Sequence, residues 1–267
     1  MTGGSDPAGV DATRATGSGP SREAVREALA DVTDPELDRS IVDLEYVDTL
    51  EVDGDRVRVE VVLPTAWCSP AFAWMMVADA REAIEALPGV DHARVALRAH
   101  LHAEEITEGV AEGQPFEAAF PDADGGLEAV RAELDRKARI ARQYDALEAL
   151  LDSGLHPEQI VSLRPDAISW PDDPGERATV YLADRALGVA VPADPLESYL
   201  EKARETGLVD TPTDRLFATP EGEPIASDEF DLVRRRCRLA KVNMSSQGGI
   251  CAGLKESRDR RFGEADD

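Results

Sequence analysis

Between residues 21 and 98 the apolar positions recur first at helical spacing, then in alternation, then at helical spacing again. Ser21 is placed to cap a helix that has Glu23 in its first turn and Val25, Leu29 and Val32 along one side. Two strands are predicted next, over 46–52 and 56–63. In the second, Val57, Val59, Val61 and Leu63 alternate with Arg56, Arg58 and Glu60. Asp53-Gly54 between them supplies the positive φ of a tight turn, so the pair should be antiparallel with one face toward a core. After the loop Pro64-Thr65-Ala66-Trp67-Cys68, the dipeptide Ser69-Pro70 fits the opening of a second helix, because proline lacks only a donor that would be orphaned there. That helix carries Met76, Ala80, Ala83, Ile84 and Leu87 and stops at Pro88-Gly89, before a strand over 93–97.

Beyond residue 100 the pattern changes. Leu127, Val130, Leu134, Ala138, Ala141, Tyr144, Leu147 and Leu151 define one long amphipathic helix, with Gly154 as its natural stop. A short helix opened by Pro157 follows. A hairpin is expected around Asp173-Pro174-Gly175 with its second strand over 178–182, then helices over 195–204 and 228–241. The predicted class is α+β: a two-layer α-β-β-α-β domain over 21–98, then a mixed, mainly helical extension over 99–261 with a short hairpin. Residues 1–20, rich in Gly, Ser, Thr, Pro and Asp without periodicity, read as a disordered tail, and 262–267 as a charged one.

Charge narrows the range of functions. The net charge is -25 over 267 residues, and the lysines are Lys137, Lys202, Lys241 and Lys255 alone. A surface rich in Asp and Glu and poor in Lys stays hydrated in concentrated salt, where the Debye length falls to about 3 Å and self-repulsion is screened. The expectation is a salt-adapted, halophilic protein, against the alternative of an acidic face for a basic partner. Such a field opposes nucleic-acid binding, which draws its affinity from phosphate neutralisation. No apolar run approaches the roughly 20 residues needed to cross a bilayer, and no secretory signal opens the chain, so no membrane association and a cytoplasmic location are expected.

Cys68, Cys237 and Cys251 are odd in number and include no Cys-x-x-Cys pair, so neither a disulfide framework nor a self-contained metal site is visible. Cys68 is the chemical candidate. It precedes a helix N-terminus, where unpaired N–H groups and the helix dipole favour thiolate, the form that cluster iron requires. The alternative, a small apolar core residue, stands on equal terms from position alone.

Asp34-Pro35-Glu36, Ser40-Ile41-Val42-Asp43-Leu44 with Tyr46-Val47, the alternating strand, Thr65 with Cys68 and Pro70, and Leu87-Pro88-Gly89-Val90 follow one another in an order and spacing that resembles the SufT/PaaD-type family of iron–sulfur cluster assembly proteins. The resemblance implies a non-enzymatic factor that helps mature client metalloenzymes, binds iron or an iron–sulfur cluster transiently, and works with cluster-assembly proteins and its client. It carries the reactive or metal-contacting role to Cys68. It also marks Asp34 and Glu36 as an acidic motif, for which helix-end capping and turn formation are at least as good an explanation as metal ligation. Many members have Thr-Pro-Gly-Cys-Pro where this chain has Thr65-Ala66-Trp67-Cys68-Ser69-Pro70. Trp67, Trp74, Met75 and Met76 beside the cysteine then read as core, with a client-docking surface as the alternative.

The extension resembles a longer subgroup found alongside bacterial multicomponent monooxygenases, on His100, Glu104-Glu105-Ile106, Gly109-Val110, Phe116, Phe120-Pro121, Val242-Asn243-Met244 and Cys251-Ala252-Gly253-Leu254. That resemblance favours Cys251, in a glycine-bearing loop at 247–251, as a second contact, over Cys237 in its arginine-rich helix. His100 and Glu104, spaced i, i+4, could share a metal on a helix but are expected at the surface. Residues 154–163 resemble the opening of a tyrosine recombinase catalytic domain, yet His156 stands where an arginine is needed and no tyrosine lies beyond Tyr199, so that chemistry is excluded. Hydrolase, nucleotide-loop and dinucleotide motifs are absent. Two functions remain: a factor that holds iron or a cluster through Cys68 with Cys251, a homodimer being one way to complete the ligands, or an adaptor that docks client and assembly machinery without metal.

Overall fold

A computed structural model describes residues 19–123, 126–171, 173 and 175–263, with the side chains of 259–263 excepted. The tail expected over 1–20 falls almost wholly outside the described residues, as do most of the tail over 262–267 and Pro174 of the expected turn. The class is α+β, as the periodicities require. Helix α1 (Arg22–Ala30) begins at Ser21, whose Oγ accepts from the Ala24 N–H at 3.0 Å, and buries Val25 and Leu29. Strands β1 (Thr33–Asp34) and β2 (Arg39–Ser40) then form a hairpin too short to leave any alternation in the sequence.

Strands β3 (Val47–Asp53) and β4 (Arg56–Val62) pair antiparallel across Gly54, whose φ of 61° is the turn conformation anticipated from Asp53-Gly54. Helix α2 (Pro70–Glu85) crosses over, and β5 (His92–Arg98) lies parallel to β4 in the order β3-β4-β5. The alternating valines of β4 all point one way: Val57, Val59 and Val61 are buried against Val25, Leu29, Val77, Ala80 and Ile84 from the two helices. This core continues past β5 into α3 (Ala103–Ala111) and α4 (Phe116–Ala119), where Phe116 and Phe120 meet the edge of Trp74. Trp74, Met75 and Met76 are core, as expected; Trp67 is 77 % exposed and so departs from that reading.

A second core is built on α5 (Leu127–Asp152), the long helix read from its stripe. Against it pack α6 (Pro157–Ile160), a sheet of β6 (Ile168–Ser169), β7 (Arg177–Leu182) and β8 (Leu187–Pro192) in that order, α7 (Ala193–Glu205), and the first half of α8 (Phe230–Gly263). Strand β7 pairs on both sides, so the expected two-stranded hairpin is a three-stranded sheet. Its β7–β8 turn uses Ala183, Asp184 and Arg185 in left-handed conformations of φ 49°, 53° and 68°, which no glycine announces in the sequence.

The largest departure is α8. The glycine-bearing segment 247–251, expected as a loop, is helical, although each interior glycine costs about 1 kcal/mol relative to alanine. Tertiary contact outweighs that propensity. Met244, Gly248, Cys251, Lys255 and Arg258, spaced at threes and fours, form the half-buried side of the helix. Leu37 lies 3.9 Å from where a Cβ at Gly248 would stand, Lys255 Nζ meets Glu45 at 2.8 Å, and Arg258 donates to the Leu63 carbonyl. The second half of α8 therefore lies along the N-terminal sheet unit. A further tie is the Arg142 guanidinium of α5, which binds both carboxylate oxygens of Asp38 at 2.7 Å.

Candidate functional site

Cys68 is held in the loop between β4 and α2. Thr65 Oγ1 accepts from the Trp67 N–H at 2.8 Å, folding the loop back on itself, and the Leu101 N–H donates to the Ala66 carbonyl at 3.0 Å. Residue 69 is the N-cap of α2, but the Ser69 side chain makes no capping bond. The clamp on the loop is His100. Its Nδ1 accepts the His102 N–H at 3.1 Å, so Nε2 carries the proton and donates to the Cys68 carbonyl at 3.0 Å. Burial, first, and the neighbouring His102 hold its pKa below the usual histidine value, against the opposing pull of the Cys68 carbonyl and Glu105. His100, expected at the surface, is thus a buried brace of the cysteine loop. It precedes α3 and is not on it, so it shares no helical face with Glu104, which is exposed.

On the facing side stands the β1–β2 hairpin. Asp34 is buried, and its Oδ1 accepts the N–H groups of Glu36 at 2.9 Å and Leu37 at 3.1 Å, while Oδ2 accepts the buried Tyr46 hydroxyl at 3.4 Å. This is the turn chemistry weighed against metal ligation in the sequence. It leaves Glu36, half-exposed and without such bonds, as the freer carboxylate. Cys251 arrives from α8 and is half-buried.

These groups act on one another electrically. Burial, then Asp34, Cys251 and Glu36, push the Cys68 thiol up to about 11 against a weaker opposing backbone hydrogen bond at Thr65. Cys251 is raised by burial and then by Asp34 and Glu36. Asp34 is raised by burial in spite of its hydrogen bonds, and Glu36 by burial and then by Asp34. The thiolate expected from the helix dipole is therefore opposed by a stronger pair of effects, desolvation and nearby carboxylates. Among the described residues no three His, Cys, Asp or Glu side chains are arranged to hold a metal ion unaided.

Charge interactions link Cys68 and Cys251 with Asp34 and Glu36, and among the described residues no cavity is lined by the four in common. A cavity of about 430 Å³ opens beside Cys251, lined also by Arg39, Asp43, Tyr46 and Lys255. Cys237 is separate: it is fully buried in the second core, contacts Gln143 Nε2 at 3.4 Å, and is pushed up to about 11 by burial.

Residues 22–97 match the family of the iron–sulfur cluster assembly protein. The chain is also similar to an uncharacterized protein of Methanocaldococcus jannaschii, 32 % identical over 89 residues, which cover 33 % of this chain and 92 % of that one. The chain belongs to the iron–sulfur cluster assembly protein family. No solved structure matches it. The family's match carries Asp34, Glu36 and Cys68 and ends before α3, so Cys251 and the whole second core lie beyond it. His100, which sequence reasoning placed at the surface, also falls just outside. The sequence marked it through the longer-subgroup resemblance and its spacing to Glu104, neither of which shows that it lies beneath the cysteine loop two residues after β5.

Proposed function

We propose that this chain matures client metalloenzymes by holding iron or an iron–sulfur cluster transiently at Cys68 and Cys251, as a non-enzymatic factor of the SufT/PaaD kind and of the longer subgroup associated with multicomponent monooxygenases. Membership of the family gives the general role in cluster assembly. The observation that supports the finer reading is that Cys251, from the second half of α8, and Cys68 are acted on by the same carboxylates, Asp34 and Glu36, and that Cys251 in turn acts on Cys68. The cargo is iron or cluster as substrate. Two thiols are half of a four-thiolate set, so the remaining ligands come from sulfide, a scaffold, the client or a second copy of the chain. Incomplete ligation suits a protein that must give its cargo away. Exposed Trp67 and Leu101, 77 % and 55 % accessible on either side of the Ala66–Leu101 hydrogen bond, offer client and assembly proteins an apolar contact beside the cargo.

No helix among the described residues is long and apolar enough to cross a membrane, and the acidic, lysine-poor composition fits work in a concentrated, halophilic cytoplasm. Anaerobic reconstitution with iron and sulfide is expected to give visible absorption that collapses in Cys68→Ala and weakens in Cys251→Ser. Absence of metal uptake by the wild type under every reducing condition would overturn the cargo role and leave an adaptor that docks client and machinery without metal.

A further inference from the structure

Helix α8 is apolar on two sides, and the chain covers one of them. Val233 and Cys237 are buried in the second core, and Met244, Gly248, Cys251 and Lys255 continue that side along the N-terminal unit. On the other side stand Leu232, Leu239, Val242, Ile250 and Leu254, each between 44 % and 65 % exposed. At 3.6 residues per turn these five fall within an arc of about 120°, along roughly 33 Å of helix. They are five of the eight large apolar residues exposed among the described residues, so one helix side holds most of them. A surface helix ordinarily turns such residues inward, and a row of them facing water marks contact with another molecule.

Charge points to the occupant. With a net charge of -25, two copies of the chain repel each other over most of their surfaces. Helix α8 is the exception: Lys and Arg outnumber Asp and Glu on it by nine to three, against 29 to 54 in the whole chain, and residues 242–254 include no charged residue. A two-fold interface sets a patch against itself, so it needs a patch that does not repel its own copy, and this stretch meets that need. Arg235, exposed and without an ion-pair partner among the described residues, is left for an acidic group of the other copy. Gly249 and Gly253 point the same way. Each lowers helix propensity, yet a Cβ at either would meet nothing within 4 Å, so the chain's own packing does not call for glycine there. Close approach of a second backbone does. Residues 1–18 offer only Met1 and Val10 as large apolar side chains, a poor cover for five. We propose that two copies of this chain associate through the outward side of α8, with the helices crossing where Ser246, Gly249 and Gly253 let them approach. This association does not depend on whether the thiols carry metal.

Sedimentation velocity of the reduced full chain should show a species of twice 28.8 kDa that forms with rising protein concentration. The dimer should tighten as KCl is raised from about 0.1 M to about 1 M, because screening removes the repulsion between two acidic bodies and leaves the apolar seam intact. Ile250→Glu would bury a carboxylate beside its own copy and should raise the dimer dissociation constant at least about tenfold. Leu239→Glu, in the other half of the helix, is a second arm with the same expected direction. Both positions are exposed, at 65 % and 61 %, so the monomer should keep its fold, as circular dichroism would show. Leu187→Glu on β8, at a position 53 % exposed and outside the seam, should leave the dimer as it is. A wild type that stays monomeric at every salt and protein concentration, a dimer that dissociates as salt rises, a dimer unchanged in folded Ile250→Glu and Leu239→Glu, or one lost equally in Leu187→Glu would each overturn the proposal.

Discussion

The reactivity of Cys68 offers a direct measure of whether burial and carboxylates outweigh the helix N-terminus beside it. An ordinary thiol of pKa 9.0 is about one-tenth ionised at pH 8, whereas one pushed up to about 11 is ionised about one part in a thousand, so thiolate is about 100-fold scarcer. The rarer thiolate is also the more basic one. With a Brønsted slope of about 0.4–0.5, two pKa steps raise its intrinsic nucleophilicity by about sixfold to tenfold, and the net alkylation rate at pH 8 falls to about one-tenth that of an ordinary cysteine. The assay is iodoacetamide labelling of the reduced full chain, followed peptide by peptide by mass spectrometry between pH 7 and 11 in concentrated salt. The Cys68 rate should keep climbing to about pH 11, and Glu36→Gln should move the curve to lower pH by removing one of the charges that raise it. Ferrous iron should protect Cys68 anaerobically, because the cation replaces the proton. A rate that levels off at or below pH 9 would refute the reasoning and restore the dipole-stabilised thiolate.

Other expectations follow from the same geometry. Trp74, 4 % exposed and edge-on to Phe116 and Phe120, should cost about 3–5 kcal/mol when replaced by alanine, while Trp67→Ala should stay within about 0.5 kcal/mol, both read from urea unfolding. The Asp38–Arg142 pair, with side chains 9 % and 17 % exposed, should lose about 3 kcal/mol in Arg142→Leu through the stranded carboxylate, and Asp38→Asn in the same chain should recover part of that loss; strictly additive effects in the cycle would show that the two do not interact. Asp34 has a folded pKa above its ordinary 3.8, so the unfolded chain ionises first and native stability falls as pH rises through the folded value. Asp34→Asn, which keeps the Oδ1 acceptor, should therefore be more stable than wild type at pH 7, with the difference closing as pH falls toward 3.8; an advantage independent of pH would point to a cause other than ionisation.

Local signals in the sequence were enough for the elements that carry their own instructions. Ser21 capped where a cap was expected, Gly54 turned the hairpin, Ser69-Pro70 opened α2, and the valines of β4 all faced one core, because period-two and period-3.6 patterns and end residues are local physics. The β1–β2 hairpin and the β7–β8 turn were not legible. The first is too short to show a period, and the second places Ala, Asp and Arg in a conformation usually signalled by glycine.

The candidate site divides along the same line. Cys68, Asp34 and Glu36 were marked by motif order, but their protonation was not, since the burial of Cys68 against the N-terminal core and the charges of Asp34, Cys251 and Glu36 act on it only in the folded chain. His100 became a brace only when its strand delivered it under the cysteine loop. Cys251 shows the limit most clearly. Its glycine neighbours argue for a loop, yet the segment is helical because one side of α8 finds the N-terminal unit to pack on. The sequence by itself determined the α-β-β-α-β unit, its inward-facing residues and the cysteine of interest. Tertiary structure alone decided which distant groups surround that cysteine and that its thiol keeps its proton, because burial and long-range charge arise from the assembled chain and leave no period in the sequence.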